Sequence, residues 1–450
     1  MITIDKEFLL PSGEIDTELL RVLLREHDHQ RTRLNELKEV YERRHEVSSR
    51  ARLKGLPNNR LVHDLPGYIV TMSSGYLAGS PIRYTEQTEA SATFAQITEA
   101  LAASSSESVD AELAVDAAVY GTAVEICYAN ELAQPRIAQL DALSAFVVYD
   151  DTVQHTPLLG ITRQELRGRD LKRRGERVLV YTSTEVIGYE RISNEAPHEV
   201  SRQPHYFGEV PVIEYWNNAR QSGDFEPIMS LINAYDLLQS DRMNDKQQFT
   251  DAILVLKGVG ALGVDDTEET YQDDFGDLQT ADTTRKETTN PSTRLRQTRT
   301  MFLPSDGADA EFITKPDGES GSEVLRQSLK SDIHKLSLIP DLSDENFAGN
   351  TSGVAMRFKL LGLEQLTKIK ERWFREALYT RLRLLAHFLC VKGASPIDAD
   401  TIQIAFTRSL PVNDLEIAQT LAAYSGIVPP DLLLTQVPFA KDYAKNPPKV

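Results

Sequence analysis

Apolar positions recur along the chain at two periods, and the switches between them divide it into segments. From 17 to 44, Leu19, Leu20, Leu23, Leu34, Leu37 and Tyr41 return at helical spacing among charged residues, which predicts a long amphipathic helix. A turn-rich stretch at 55–60 separates it from a second apolar-periodic segment, 68–77, which ends at GSP in positions 79–81. Residues 82–84 read as a short strand, 103–107 as a loop, 109–119 as a helix and 122–128 as a strand. Between 135 and 216 the period becomes two. The runs 145–149, 178–181, 186–189 and 212–216 are β-branched or aromatic and bounded by Gly, Pro and Asp, predicting a mostly antiparallel β region.

Helical spacing returns at 223. Asp224 is placed as an N-cap with Pro227 in the first turn, and Ile228, Leu231, Ile232, Tyr235 and Leu238 form an apolar stripe. Asp241, Asp245 and Lys246 fall in a polar second half, and 252–256 predicts a strand. Over 259–318 the chain carries thirteen acidic and six basic residues and few apolar ones. Such a segment is too polar to fold around its own core, so it is either disordered or buried against another copy of itself. SGSE at 320–323 has the form of a capping box opening a helix to 338, with Leu325, Leu329, Ile333 and Leu336 as its apolar edge and Ile339-Pro340 as its end. A much longer helix is predicted over 354–391, spanning roughly 57 Å at 1.5 Å per residue, with Gly362 as the natural place for a bend. Beyond Gly393 a small terminal unit is expected: a strand near 401–406 and helices near 414–424 and 430–436.

Composition narrows the function. At 450 residues, 41% hydrophobic and 26% charged, the chain fits a globular protein of about three structural units with a large core. Cys127 and Cys390 are too few for a disulfide framework or a thiolate metal site, and a reducing cytosol is the simplest compartment. The longest apolar runs, 145–149 and 252–256, are five residues, far short of a membrane span, and the acidic N-terminus lacks the form of a secretory signal. The net charge of −18 repels nucleic acid and anionic membrane overall, so any handling of DNA must work by geometry and local patches.

Catalytic signals are absent from the sequence. His27 and His29 lie two apart and cannot share a helical face as metal ligands would; both read as solvated helix residues. Gly258, Gly260 and Gly263 match GxGxxG after the strand at 252–256, but DDTEE at 265–269 would meet a pyrophosphate with four carboxylates and no βαβ repeat surrounds the match. No phosphate-binding GxxxxGK[ST], no GxSxG and no HExxH occurs, and the pairs Asp150-Asp151 and Asp273-Asp274 read as solvated loop residues. No catalytic, metal or cofactor residues are assigned.

Three stretches in order resemble one family. These are PNNRLV at 57–62 leading to YIV at 68–70 and GYLAGSP at 75–81; DFEPIMSLINAYD at 224–236 followed by QSDRMND at 239–245 and the strand to 258; and PDLSDENFAGNTSG at 340–353 followed by the long helix. Together, over about 55–440, they resemble the portal proteins of tailed bacteriophages, the siphovirus type of Gram-positive hosts. The resemblance implies an α+β portal fold: a helical and β-rich wing over 1–222, a stem helix and strand over 223–258, a small α/β clip over 259–319, and a second stem helix over 320–340. It further implies a tunnel loop over 341–353, a kinked wing helix over 354–392 bending at Gly362, and a C-terminal wing and crown over 393–450, small because the chain stops at KNPPKV.

The implied function is a ring of about twelve copies at one capsid vertex, assembled in the host cytoplasm, through which double-stranded viral DNA is packaged and ejected. Implied partners are further copies of itself, the terminase large subunit, the head–tail adaptor, and the major capsid and scaffolding proteins, with no membrane and no cofactor. Asp344, Glu345, Asn346, Phe347, Asn350 and Thr351 would form the DNA-facing tunnel loop, with Gly349 and Gly353 permitting movement. Arg326, Lys330 and Lys335 would face the channel or sit at subunit contacts. A strongly acidic conduit favours passage of DNA over its retention. Two alternatives stay open: a dinucleotide enzyme using Gly258, Gly260 and Gly263, and another tail or baseplate assembly protein.

Overall fold

The carboxylate of Asp16 accepts a hydrogen bond from the Leu19 amide at 2.6 Å and so starts α1 (Thr17–Tyr41), in which Leu20, Leu23, Leu24, Leu34 and Leu37 are buried. A computed structural model of the chain describes residues 1–9, 15–53, 56–86, 91–170, 172–192, 196–249, 253–257, 270–272, 278–280, 300–303, 309–313, 319–343, 358–408 and 422–423. Helices and sheets are both abundant, so the fold is α+β.

Two compact units divide the chain, one formed by Met1–Arg43, Asp64–Met229 and Ile333–Val450, the other by Arg44–His63 and Ser230–Asp332. In the first, β1 (Ile2–Ile4), β5 (Ala145–Asp150), β6 (Pro157–Arg167), β7 (Arg173–Tyr181), β8 (Glu185–Ile192) and β9 (His198–Pro204) form a six-stranded sheet in that order. All its pairs are antiparallel except β1 with β5. One face packs on α1, where Leu20, Leu23 and Leu24 meet Phe146, Val148, Ile161, Val178 and Ile187. A second core joins α3 (Ala92–Ala103), α4 (Ser106–Tyr120), β3 (Thr122–Ala129), β4 (Pro135–Leu140), β10 (Val212–Trp216) and α7 (Leu361–Val391). Leu378, Leu382 and Leu385 of α7 are fully buried in it. The strand β16 (Ile402–Ala405) pairs antiparallel with β2 (Arg83–Glu86), so residues after Gly393 are tied to this core by Ile402 and Ile404. Between α4 and β3, Gly121 has φ +84°, and a Cβ there would sit 2.0 Å from the Gln221 carbonyl oxygen, so no other residue fits.

The second unit holds α5 (Met229–Phe249), which runs on from the first unit's Met229, and α6 (Glu319–Ser337), which ends in the first unit. Its small sheet has β11 (Ile253–Lys257) at the centre, parallel to β14 (Thr300–Leu303) and antiparallel to β15 (Asp309–Ile313). A separate hairpin pairs β12 (Thr270–Gln272) with β13 (Leu278–Thr280).

Several expectations need correction. The first helix stops at Tyr41, because Arg43 turns left-handed with φ 65°. His27 is not solvated: it is buried, its ring stacked 4.2 Å from that of Phe146, and burial with the nearby Arg163 guanidinium pushes it down to about 3. Asp224 is not an N-cap. A 3-10 turn, Glu226–Ile228, precedes α5, and the Asp224 carboxylate is buried 2.5 Å from Lys370 Nζ. Helix α6 is already under way at Glu319, so Glu323 lies inside it and closes no capping box. Of the apolar edge expected on α6, Ile333 is buried but Leu325 and Leu336 are exposed.

The long helix runs 31 residues from Leu361, about 46 Å. A helical step at 358–359 is set off from it by Leu360, so the interruption falls two residues before Gly362, which lies in the first turn and not at an interior bend. The glycines at 258, 260 and 263, the tunnel-loop residues Asp344, Glu345, Asn346, Phe347, Asn350 and Thr351, and the terminal helices apart from 422–423 lie outside the described residues.

Candidate functional site: helices α5 and α6 and the segment after α6

Helix α5 buries a polar stripe beside Ile232 and Tyr235. Asp236, Ser240 and Asn244, at positions i, i+4 and i+8, form one stripe and are completely buried, while Leu237 and Met243 are exposed. Residues of the segment 44–63 pack on that polar stripe and satisfy most of it, leaving Asn244 Nδ2 without a hydrogen-bond partner. His45 Nδ1 lies 2.5 Å from one Asp236 oxygen, and His63 places both its ring Nδ1 and its amide 2.9 Å from the other. Burial alone would raise the Asp236 carboxyl, but hydrogen bonds from His45 and His63 hold it below the usual range. The Leu61 amide donates to Ser240 Oγ at 2.9 Å and the Asn59 amide to Asn244 Oδ1 at 2.6 Å. At the edge, Asp241 pairs with Arg50 at 2.7 Å and with Arg52. These contacts hold α5 in one rotation, with Ile232 and Tyr235 buried and Leu237 and Met243 left outward.

Helix α6 carries the three predicted stem cations, and they do not share a face. At 100° per residue, Arg326 and Lys330 stand about 40° apart, while Lys335 lies about 180° from Arg326. Arg326 grips Glu323 through Nε at 2.9 Å and Nη2 at 2.5 Å, and Arg242 of α5 adds a second pair to Glu323 at 3.0 Å. The Arg326 hydrogen bonds hold the Glu323 carboxyl down at about 2. Arg326 is thus committed, Lys330 is half-buried, and Lys335 is exposed. The same helix presents Val324, Leu325 and Leu336 to solvent at 67%, 50% and 60% exposure, more apolar surface than a lone helix would leave wet.

The end of α6 anchors the segment where the tunnel loop is expected. Leu338 turns left-handed with φ 61°, an unfavourable conformation for a branched residue, and Ile339 is buried. Tyr68 of α2 (Leu65–Ala78) donates its hydroxyl to the Pro340 carbonyl at 2.6 Å and accepts from the Leu342 amide at 3.2 Å. His334 Nδ1 lies 3.1 Å from the Ile339 carbonyl. Gly362 packs here too: a Cβ would come within 3.2 Å of the Leu338 carbonyl oxygen.

The Asp236 stripe and its histidines escaped the sequence reading, although the PNNRLV segment that carries the resemblance contributes Asn59 and Leu61 to it. Polar residues at i, i+4 and i+8 on a helix otherwise rich in leucine were the available signal. Among the described residues no group of His, Cys, Asp and Glu is arranged to hold a metal ion, and no helix is long and apolar enough to cross a membrane.

A family model described as "Phage portal protein, SPP1 Gp6-like" matches residues 20–446 of this chain. The portal protein of Clostridium phage phiCD119 is 27% identical over 238 residues, covering 53% of this chain and 47% of that protein, so the match spans about half the relative's length. The portal protein of Bacillus phage SPP1 is 22% identical over 401 residues, covering 86% of this chain and 74% of that protein.

Proposed function

Since this chain belongs to the SPP1 Gp6-like family of phage portal proteins, we propose that its copies close into a ring of about twelve around a channel for double-stranded viral DNA. In this reading α5 and α6 are the stem, 259–319 the clip, 341–353 the tunnel loop, α7 the wing helix and 1–222 the wing, with residues after Gly393 divided between wing and crown. The ring sits at one capsid vertex of the virion after assembly in the host cytoplasm. It docks the terminase motor during packaging and the head–tail adaptor afterwards, and it meets the major capsid and scaffolding proteins around its rim. Asp344, Glu345, Asn346, Phe347, Asn350 and Thr351 touch the passing DNA, and Lys335 faces it or a neighbouring subunit. The protein does no chemistry of its own; ATP hydrolysis belongs to the motor.

One observation carries this reading. The stem helices expose apolar side chains (Met243 on α5; Val324, Leu325 and Leu336 on α6) while the carboxylates of Asp236 and Glu323 are already paired within the chain. Burial of those residues against identical neighbours removes the cost of wetting them. The net charge of −18 per copy disfavours tight retention of DNA. End-on electron-microscope images of the purified chain test it. Annular particles with a central hole are expected; uniformly solitary particles contradict it.

A further inference from the structure

The β6–β7 hairpin concentrates positive charge on an otherwise acidic chain. Within 167–177 lie Arg167, Arg169, Lys172, Arg173, Arg174 and Arg177, against two acidic residues, Asp170 and Glu176. All six cations are exposed, whereas Glu176 is buried and already spent on Arg163 at 2.5 Å and Arg191 at 2.7 Å. The hairpin itself is well formed: the Gly168 amide donates to the Lys172 carbonyl at 2.9 Å, and Asp170 accepts from the Lys172 amide at 3.4 Å.

The charges are arranged against the hairpin's own stability. Arg167 and Arg173 are direct cross-strand partners, and like charges in that position repel. Glu165 offsets them partly, at 3.0 Å from Arg167 and 4.0 Å from Arg173, and Glu190 takes Arg177 at 2.5 Å. Arg169, Lys172 and Arg174 form no ion pair among the described residues. A fold gains nothing from this grouping alone; an external polyanion relieves it.

We propose that the β6–β7 hairpin is a docking surface for the phosphate backbone of duplex DNA. Five of the six cations are arginines, whose planar forks match phosphate oxygens two at a time. Charge dominates their exposed neighbours, with Ile192 opposite Gly175 an exposed apolar side chain beside them, so the patch lacks the broad apolar core that marks most protein–protein contacts. Duplex DNA also offers a dense line of charge whose counterions are released on contact, which a folded acidic protein surface matches poorly. The choice of DNA as the polyanion rests on the portal reading. The hairpin shares no residues with the segments assigned to the stem, and it gives a ring that is anionic overall a local grip on nucleic acid.

The test is fluorescence anisotropy of a labelled duplex of random sequence with the full-length chain across a salt series. It compares the native chain with the triple variants Arg169→Gln/Lys172→Gln/Arg174→Gln and Arg169→Glu/Lys172→Glu/Arg174→Glu, each checked for an unchanged thermal melt. At low salt the Gln variant is expected to bind at least roughly 10-fold more weakly, with a salt slope shallower by about 2.7. The Glu variant should be weaker still. A native chain that does not bind the duplex at low salt, or variants that bind as it does, would overturn the proposal. So would variants whose particles fall apart while their DNA affinity is unchanged, because the hairpin would then dock on an acidic neighbouring copy. A chain that stays solitary yet binds DNA through these residues would sink the ring and leave this inference standing.

Discussion

Arg381 and Glu125, 256 positions apart, meet where neither side chain touches solvent: Nε lies 3.0 Å from one carboxylate oxygen and Nη2 2.8 Å from the other. Asp110 adds a second carboxylate 2.7 Å from the same guanidinium, and Tyr215 donates its hydroxyl to Glu125 at 2.7 Å. One cation therefore holds two carboxylates at the junction of α4, β3, β10 and α7. Burial raises the Glu125 carboxyl, with Arg381 opposing that shift.

Removing the cation should be far worse than removing the cluster. Arg381→Met leaves two buried carboxylates uncompensated and is expected to cost roughly 3–5 kcal/mol in urea unfolding. Adding Glu125→Gln and Asp110→Asn should recover much of that loss. Equal stability of the single and triple variants would mean that packing, and not charge, holds this junction.

Asp116 on α4 gives a pH dependence of definite sign. Burial pushes its carboxyl up to about 7 from an ordinary 3.8, although Gln139 donates to it at 2.5 Å. The folded chain then holds this proton more tightly than the unfolded one, so stability falls as pH rises from about 4 to about 7. Asp116→Asn should match the native chain near pH 4 and exceed it by about 1–2 kcal/mol at pH 8, discounted because the residue is only half-buried. His27, held at about 3, produces the opposite slope between about 3 and 6.5, so the single variant is needed to separate the two.

Tyr68→Phe removes both hydrogen bonds that pin Pro340 and Leu342. The expected cost is about 1 kcal/mol, felt locally. Hydrogen exchange at the Leu342 amide should accelerate several-fold while exchange in α7 is unchanged. Unchanged protection at Leu342 would show that the loop base is held by other contacts.

Leu325→Glu with Leu336→Glu places charge on the exposed side of α6. The fold should tolerate both, because neither side chain is buried in the chain. Association should fail, giving solitary chains with a native thermal melt. Rings formed normally by this variant would remove α6 from the interface.

The legible parts of the sequence were those with strong local period. The leucines of α1 and the β-branched runs of β5, β7, β8 and β10 located those elements to within a few residues, because burial on one face leaves a regular trace. What stayed hidden depended on partners far along the chain. Asp224 looks like a cap until Lys370 is placed beside it, and His27 looks solvated until β5 brings Phe146 over its ring. The polar stripe of α5 reads as an exposed face unless residues 44–63 are known to cover it. Arg326, Lys330 and Lys335 were grouped by charge, and helical geometry separates them. The basic hairpin stood in plain sequence, but its meaning needed the knowledge that Glu176 is already taken.

The central claim is that this chain completes itself by closing a ring with identical neighbours. Native mass spectrometry of the purified full-length protein tests it most directly. A single species of roughly 600 kDa, from about twelve copies of the 50.4 kDa chain, is expected; a stable species at 50.4 kDa or twice that, at every concentration tested, would contradict it.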